Sequence, residues 1–281
     1  MSSKNILVSK NYYPLLLTGT IDSRSFDGEG IDLEKRIKSY ESSIEKYICE
    51  TDFNPIVFIE NSGYTFNSKK FIELAENNGK KFEFINGTIC KDEVKKHGKG
   101  YGDSFLVYEG LTKSKLLSNV DFFYKITGRI FLTNSNKIIK SCFNHRNEFI
   151  SYDGMGWVIT YLFKANKSDY LKVMKNVFLQ CDDKNRRDME ICFWLRLYQS
   201  TLDIGSFRTY PIIEGNMGVT NKPYTKNKVD NTIRNIAIKL GVFTMKSKSS
   251  KAFWRLFQII TKRKPYVDEH SFEANTNEVK S

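Results

Sequence analysis

Residues 97–103 read His-Gly-Lys-Gly-Tyr-Gly-Asp, with three glycines in five positions around Lys99. Glycine lets a main chain come close to a ligand, and the lysine adds positive charge to that approach. Arg129 follows Gly128 in residues 121–132, a run otherwise apolar enough for a buried strand, where Lys125, Thr127 and Arg129 alternate. Two cations beside a soft backbone suit a diphosphate. The expected ligand-binding residues here are Lys99, Gly100, Gly102, Asp103, Lys125, Thr127 and Arg129. Three carboxylates could take a proton from an attacking hydroxyl: Glu190 first, then Asp188 and Asp153. Each also has a plainer structural reading. A carboxylate at a helix start satisfies the helix dipole, and an aspartate before a glycine is ordinary turn chemistry.

The elements that must position these groups follow from apolar periodicity. Residues 13–20, 55–60 and 81–85 read as short buried strands. Residues 31–49 carry Ile37, Tyr40, Ile44, Tyr47 and Ile48 at helical spacing among charges. Residues 68–78 form a second helix closed by Gly79. Residues 96–103 read as a loop, and 104–117 as a helix capped by Asp103 or Ser104. The alternation of strand and helix predicts an α/β domain with a mostly parallel sheet flanked by helices. Ligands of such sheets lie beyond the carboxyl ends of the strands. Thr18, Gly19, Thr20 and Asp22 fall there after the first strand, and Glu60, Asn61 and Ser62 after the second.

In the second half, residues 185–198 read as a mostly buried helix opened by a polar turn. Residues 207–213 are a strand candidate, and 214–228 a loop. Residues 245–264 hold seven Lys or Arg and no acid, with Phe253, Leu256, Phe257 and Ile260 at i, i+3, i+4 and i+7. That is the pattern of an interfacial membrane helix. The last fifteen or so residues read as a loose polar tail.

Composition narrows the classes. The formal net charge of +12 favours anionic partners. Five scattered cysteines without a Cys-x-x-Cys pair, and three separated histidines, argue against zinc and for free thiols in a reducing compartment. A GxxxxGK[ST] loop is absent, and no GxGxxG follows the first strand, which disfavours P-loop and dinucleotide chemistry. No signal-peptide pattern is visible at the start. The expected location is cytoplasmic, peripheral on the inner face of the membrane.

The segments LLLTGTIDS, PIVFIENSGY, KKHGKGYGDS and FFYKITGRIFLTN, in that order, resemble small bacterial nucleotide-sugar glycosyltransferases of the GT-A class, those that build lipopolysaccharide or capsule. The resemblance covers roughly residues 10–215. It implies a GT-A-like (Rossmann-like) fold, a nucleotide-sugar donor, and a saccharide or glycolipid acceptor. It also implies a late acidic helix start supplying the base, a position that Asp188 and Glu190 fill here with Arg196 trailing. Family members hold a divalent metal with Asp-x-Asp, and this chain has none; the corresponding place reads Ile126-Thr127-Gly128-Arg129. The expectation is therefore that no metal or other cofactor is required and that fixed cations neutralise the leaving diphosphate. The expected organisation is a glycosyltransferase domain over residues 1–240, with a nucleotide-binding half (1–135) and an acceptor and catalytic half (136–240). A basic membrane-associating segment and tail follow at 241–281. Nucleic acid is not an expected partner, although a basic nucleic-acid-binding α/β protein is the alternative that the charge alone would allow.

Overall fold

The computed structural model describes residues 12–26, 32–142, 146–217, 223–224 and 226–264. The chain opens with β1 (Leu15–Gly19), a short 3-10 turn, α1 (Leu33–Glu50), β2 (Ile56–Glu60), α2 (Ser68–Asn77) and β3 (Phe82–Asn86). Two consecutive helices follow, α3 (Lys91–His97) and α4 (Lys99–Lys113), then β4 (Phe122–Thr127), β5 (Phe131–Leu132) and α5 (Ser135–Ser141). The second half comprises β6 (Asn147–Glu148), β7 (Ser151–Tyr152), β8 (Trp157–Val158), β9 (Leu162–Asn166), α6 (Lys167–Val173) and α7 (Met189–Gln199). It ends with β10 (Ile204–Gly205), β11 (Ile213–Glu214), α8 (Lys228–Lys239) and α9 (Lys248–Thr261).

Seven strands form one sheet in the order β10-β6-β9-β4-β1-β2-β3. β3, β2, β1 and β4 run parallel, and β9 lies antiparallel to β4. The expected α/β architecture, a mostly parallel sheet between helices, is the one the chain adopts. The order reverses at β1, whose two neighbours β2 and β4 lead to opposite sides. That reversal lies at the carboxyl ends of β1 and β4, the place where open α/β sheets take their ligands.

Alternation along the strands explains the layers. Leu15, Leu17, Ile56, Phe58, Tyr124 and Ile126 point to one face, where α1 supplies Tyr40, Ile44, Tyr47 and Ile48. Leu16, Val57, Ile59 and Phe123 point to the other, against Leu106, Val107 and Leu111 of α4 and Ile191 and Phe193 of α7. Successive strand side chains face opposite ways, so these unbroken apolar runs must be covered on both sides.

Three local readings change. Residues 98–103 are not a loop: the chain passes from α3 to α4 through Gly98 alone, at φ 97°, and Gly100, Gly102 and Asp103 lie within α4. The run 121–132 is not one strand. It breaks after Thr127, where the Gly128 N–H donates to the Thr18 carbonyl (2.8 Å) and Ile130 turns back on Thr127 (3.2 Å), so Arg129 sits on a turn at the sheet's carboxyl edge. Residues 207–213 form no long strand. Asn235 Oδ1 accepts the Tyr210 N–H and Asn134 Oδ1 the Ile212 N–H, each at 2.9 Å. These side-chain amides take the place of a ladder, and Pro211 has no N–H to offer one.

α9 is half docked. Trp254 is buried, donates its indole N–H to the Val242 carbonyl (3.2 Å), and lies against Gly154, where a Cβ would stand 2.2 Å from its own. Phe253, Leu256, Ile259 and Ile260 stay exposed, as do Val229, Ile233, Ile236 and Leu240 at helical spacing on α8. No helix among the described residues is long and apolar enough to cross a membrane. The polar tail expected at the end of the chain lies outside the described residues.

Candidate active site

The reversal of strand order brings two short segments together. After β1, Thr18 is buried, and Thr20 lends its N–H to the Tyr40 hydroxyl (3.1 Å) and its own hydroxyl to Asn61 Oδ1 (2.7 Å). Glu60 is buried at the end of β2 and accepts the N–H groups of Ile21 (2.7 Å) and Ser62 (2.9 Å), while the Ser62 hydroxyl accepts the Asp22 N–H (3.0 Å). Glu60, Asn61 and Ser62 thus shape the loop after β1. Asp22 is gripped by Arg24 through two nitrogens (2.8 and 2.7 Å), and that hydrogen bonding holds its carboxyl below the usual range. Gly19 and Gly128 lie under the rings of Tyr40 and Phe58, where a Cβ would collide; they let the ends of β1 and β4 close on each other.

The glycine-rich segment serves a purpose other than the one its composition suggested. Asp183, from the turn before α7, places its carboxylate at the N-terminus of α4 and accepts the Gly100 N–H at 3.1 Å. A Cβ on Gly98 would stand 2.4 Å from Asp183 Oδ2, and one on Gly100 2.7 Å from Asp183 Oδ1 and 2.9 Å from the Met189 nitrogen. The helix dipole and its free N–H groups are therefore already met by an internal anion. Gly100 and Gly102 are packing residues, and Lys99 is an exposed side chain in the first turn of α4. Gly100→Ala is expected to cost about 1–3 kcal/mol, as overpacking does; urea unfolding would register it as a lower midpoint with an unchanged slope.

The start of α7 carries two of the three candidate carboxylates. Asp188 caps that helix, accepting the Ile191 N–H at 2.9 Å, and so fixes where Glu190 begins. Glu190 Oε1 accepts the Thr160 hydroxyl at 2.7 Å. The Thr160 carbonyl accepts the Lys125 ammonium at 2.9 Å. Lys125 is fully buried in β4, and burial lowers its pKa against the pull of Asp103 and Glu190. It does not reach the cleft; it holds Thr160, and through it Glu190. Glu190 keeps an edge open to solvent, yet burial of its carboxyl pushes its pKa up to about 7, with Asp188 and Asp103 adding to the rise. A carboxylate half-ionised near neutrality suits proton transfer. Asp188 and Asp183 are also raised, first by burial. Asp153 belongs elsewhere: its two oxygens accept the Trp194 indole N–H and the Lys246 N–H, each at 3.2 Å. It ties α7 to the approach to α9 and is a structural carboxylate.

Arg129 stands at the end of β4. Its guanidinium donates to the Asn216 carbonyl and hydrogen-bonds the Tyr224 hydroxyl, and no carboxylate pairs with it among the described residues. Burial raises the Tyr224 hydroxyl, whose charged neighbours are Arg129, Glu190 and Asp103. Arg129, Glu190 and Asp103 therefore all act electrostatically on one tyrosine, although they come from the turn after β4, from α7 and from α4. The Thr127 N–H donates to the Tyr161 carbonyl (3.0 Å), which seats the Thr160-Tyr161 pair at this same edge. Thr160, Tyr161, Asp183 and Tyr224 carried no signal in the sequence, because hydroxyls and tyrosines are common and the contacts span distant segments. Thr127, Gly128 and Arg129 offer no carboxylate, and among the described residues no group of three or more His, Cys, Asp or Glu is placed to hold an ion.

No protein-family model matches the chain, and no curated protein matches it in sequence. Three solved structures are similar to it in part. The bifunctional glycosyltransferase WbbM is 11% identical over 86% of this chain, with a TM-score of 0.46, and this chain spans only 46% of its length. An active-site mutant of LgtC is 8% identical, with coverages of 79% and 83% and a TM-score of 0.45. The mannosyltransferase Ktr4p from S. cerevisiae is 13% identical, with coverages of 79% and 74% and a TM-score of 0.37. At these values the likeness transfers neither activity nor site residues to the present chain.

Proposed function

We propose that the chain is a glycosyltransferase that moves a sugar from a nucleotide-sugar donor to a hydroxyl of a saccharide or glycolipid acceptor, in the synthesis of a surface glycan. The observation that carries this reading is the placement of Glu190. A carboxyl that burial raises to about 7 and an arginine with no acidic partner among the described residues both act on Tyr224, at the carboxyl edge of an α/β sheet.

In this reading the donor diphosphate lies between the loop Thr18–Asp22 and the turn Thr127–Arg129. As the bond from the anomeric carbon to the diphosphate breaks, charge grows on the leaving oxygen, and the Arg129 guanidinium neutralises it. Glu190 takes the proton of the acceptor hydroxyl as that oxygen attacks. Lys125 and Thr160 hold the carboxylate in place, and Asp188 fixes the helix start beneath it. No step is routed through a metal. Thermal shift with a panel of UDP-, GDP-, CMP- and TDP-sugars tests the assignment: stabilisation by one nucleotide series, unchanged by EDTA, is expected, and no response to any of them would refute it.

The exposed apolar positions of α8 and α9 extend the reading to location. Residues 245–264 carry seven cations and no acid, and each basic side chain near an anionic leaflet contributes about 1 kcal/mol. We propose that Leu256, Ile259 and Ile260 enter the inner face of the membrane beside these charges. Flotation should follow vesicles containing anionic lipid and not neutral ones. Leu256→Asp with Ile260→Asp should abolish flotation while leaving the docked Trp254 buried; flotation that persists would remove α9 from the membrane contact.

A further inference from the structure

Next to Tyr224 stands a group of aromatic side chains that the proposed chemistry does not use. Tyr161 packs against Tyr224 with ring centroids 5.1 Å apart. The next members are Tyr152 and Tyr210, whose hydroxyls lie 3.5 Å from each other. Trp157 and Phe243 line Tyr152, each with centroids at 5.4 Å. Into this group α8 sends Arg234. Its Nη1 donates to the Tyr152 hydroxyl at 3.1 Å and to the Tyr210 hydroxyl at 2.9 Å, and its guanidinium lies 5.1 Å from the Tyr210 ring centroid.

Arg234 is half-buried, and among the described residues no carboxylate faces it; its polar surroundings are tyrosine hydroxyls. Burying part of a guanidinium without an anion is costly, and two phenols return little of that cost. Nη1 is engaged, whereas Nε and Nη2 have no acceptor among the described residues, and neither is a fully buried orphan. A planar pair of free N–H donors is the geometry that grips a carboxylate or phosphate, and the partly exposed rings of Tyr152 and Tyr161 beside it offer the apolar surface that a sugar ring needs. The connection to the reacting groups is short: Tyr161 follows Thr160, which holds Glu190, and Tyr161 touches Tyr224, which holds Arg129.

We propose that Arg234, Tyr152, Tyr161 and Tyr210 form the acceptor subsite, and that the acceptor is an anionic saccharide carrying a phosphate or carboxylate group that Arg234 binds. This rests on the transferase reading for the word acceptor, but binding of the anionic sugar does not depend on turnover. Two arginines then divide the work, Arg129 on the donor and Arg234 on the acceptor, with Glu190 between them.

The test is calorimetric titration of the full chain with hexoses, the corresponding hexose 6-phosphates and hexuronates, and inorganic phosphate. The wild type should bind one charged sugar class about tenfold or more tightly than its neutral parent, the scale of a charge-assisted pair. Which class wins separates phosphate from carboxylate, and inorganic phosphate alone should compete only weakly. Arg234→Gln should remove the preference, Arg234→Lys should keep part of it, and Arg129→Gln should leave it intact. Arg234→Lys keeps the charge and serves if the glutamine variant does not fold. An equal affinity for neutral and charged sugars would overturn the proposal, as would a preference that survives Arg234→Gln. A loss of nucleotide affinity in Arg234→Gln matching that in Arg129→Gln would also overturn it, by assigning Arg234 to the donor. Failure of the transferase reading is seen separately, as absence of nucleotide-sugar binding by the wild type.

Discussion

Glu190→Gln should lower kcat by about 10²–10⁴-fold while leaving donor affinity close to that of the wild type, because glutamine keeps the shape and the Thr160 hydrogen bond but cannot take a proton. Measured nucleotide release from the cognate donor in the presence of acceptor gives the first quantity, and calorimetric titration of the donor the second. Full activity in this variant would remove Glu190 from the reaction. The same substitution changes stability in a way that does not depend on finding the substrate. The carboxyl titrates near 4.5 when unfolded and is pushed up to about 7 by burial in the fold. Between those values the native state holds a proton that the unfolded chain has lost. The stability from the neutral form is therefore fully present below about pH 4.5 and is lost as pH rises through about 7, a change on the order of 3 kcal/mol. Glutamine stays neutral throughout, so that slope should vanish from the urea midpoint of the variant.

Arg129→Gln carries the second large effect. The guanidinium has a backbone carbonyl and a tyrosine for partners and no carboxylate among the described residues, so its charge is free for a ligand. Losing charge-assisted hydrogen bonds to a diphosphate should weaken donor binding by about 1.5–3 kcal/mol, or roughly 10–150-fold in Kd. Arg129→Lys should recover only part of this, since a point charge cannot form the two parallel bonds of a guanidinium. Unchanged nucleotide affinity in Arg129→Gln would place the diphosphate elsewhere. An effect of equal size from Lys99→Gln would return the exposed start of α4 to the donor site; the structure leads us to expect little from that variant.

The layers of the fold were readable in the sequence because burial on both faces of a parallel sheet writes apolar runs such as the leucines that open Leu15–Gly19 and the four apolar residues that open Ile56–Glu60. The acidic start of α7 was readable too, since Asp188 and Glu190 precede an apolar helix in the way caps do. The glycine-rich segment misled for a physical reason. Composition marks Gly98, Gly100 and Gly102 as places of close approach, but not what approaches, and here it is the carboxylate of Asp183, 83 residues from Gly100 along the chain. Lys125 and Arg129 looked alike as alternating cations of one strand. The turn at Gly128 separates them, burying the first against Thr160 and setting the second on a turn at the sheet's carboxyl edge. Thr160, Tyr224 and Arg234 could not be found at all, since each matters only through contacts between segments distant in the chain.

The pH dependence of nucleotide release tests the central claim most directly. Between about pH 5 and pH 9, with donor and acceptor saturating, the rate should rise as a single ionisation and level off, its midpoint near the value of about 7 that burial gives Glu190. A flat profile, or a midpoint down at the 4.5 of an unburied glutamate, would contradict it.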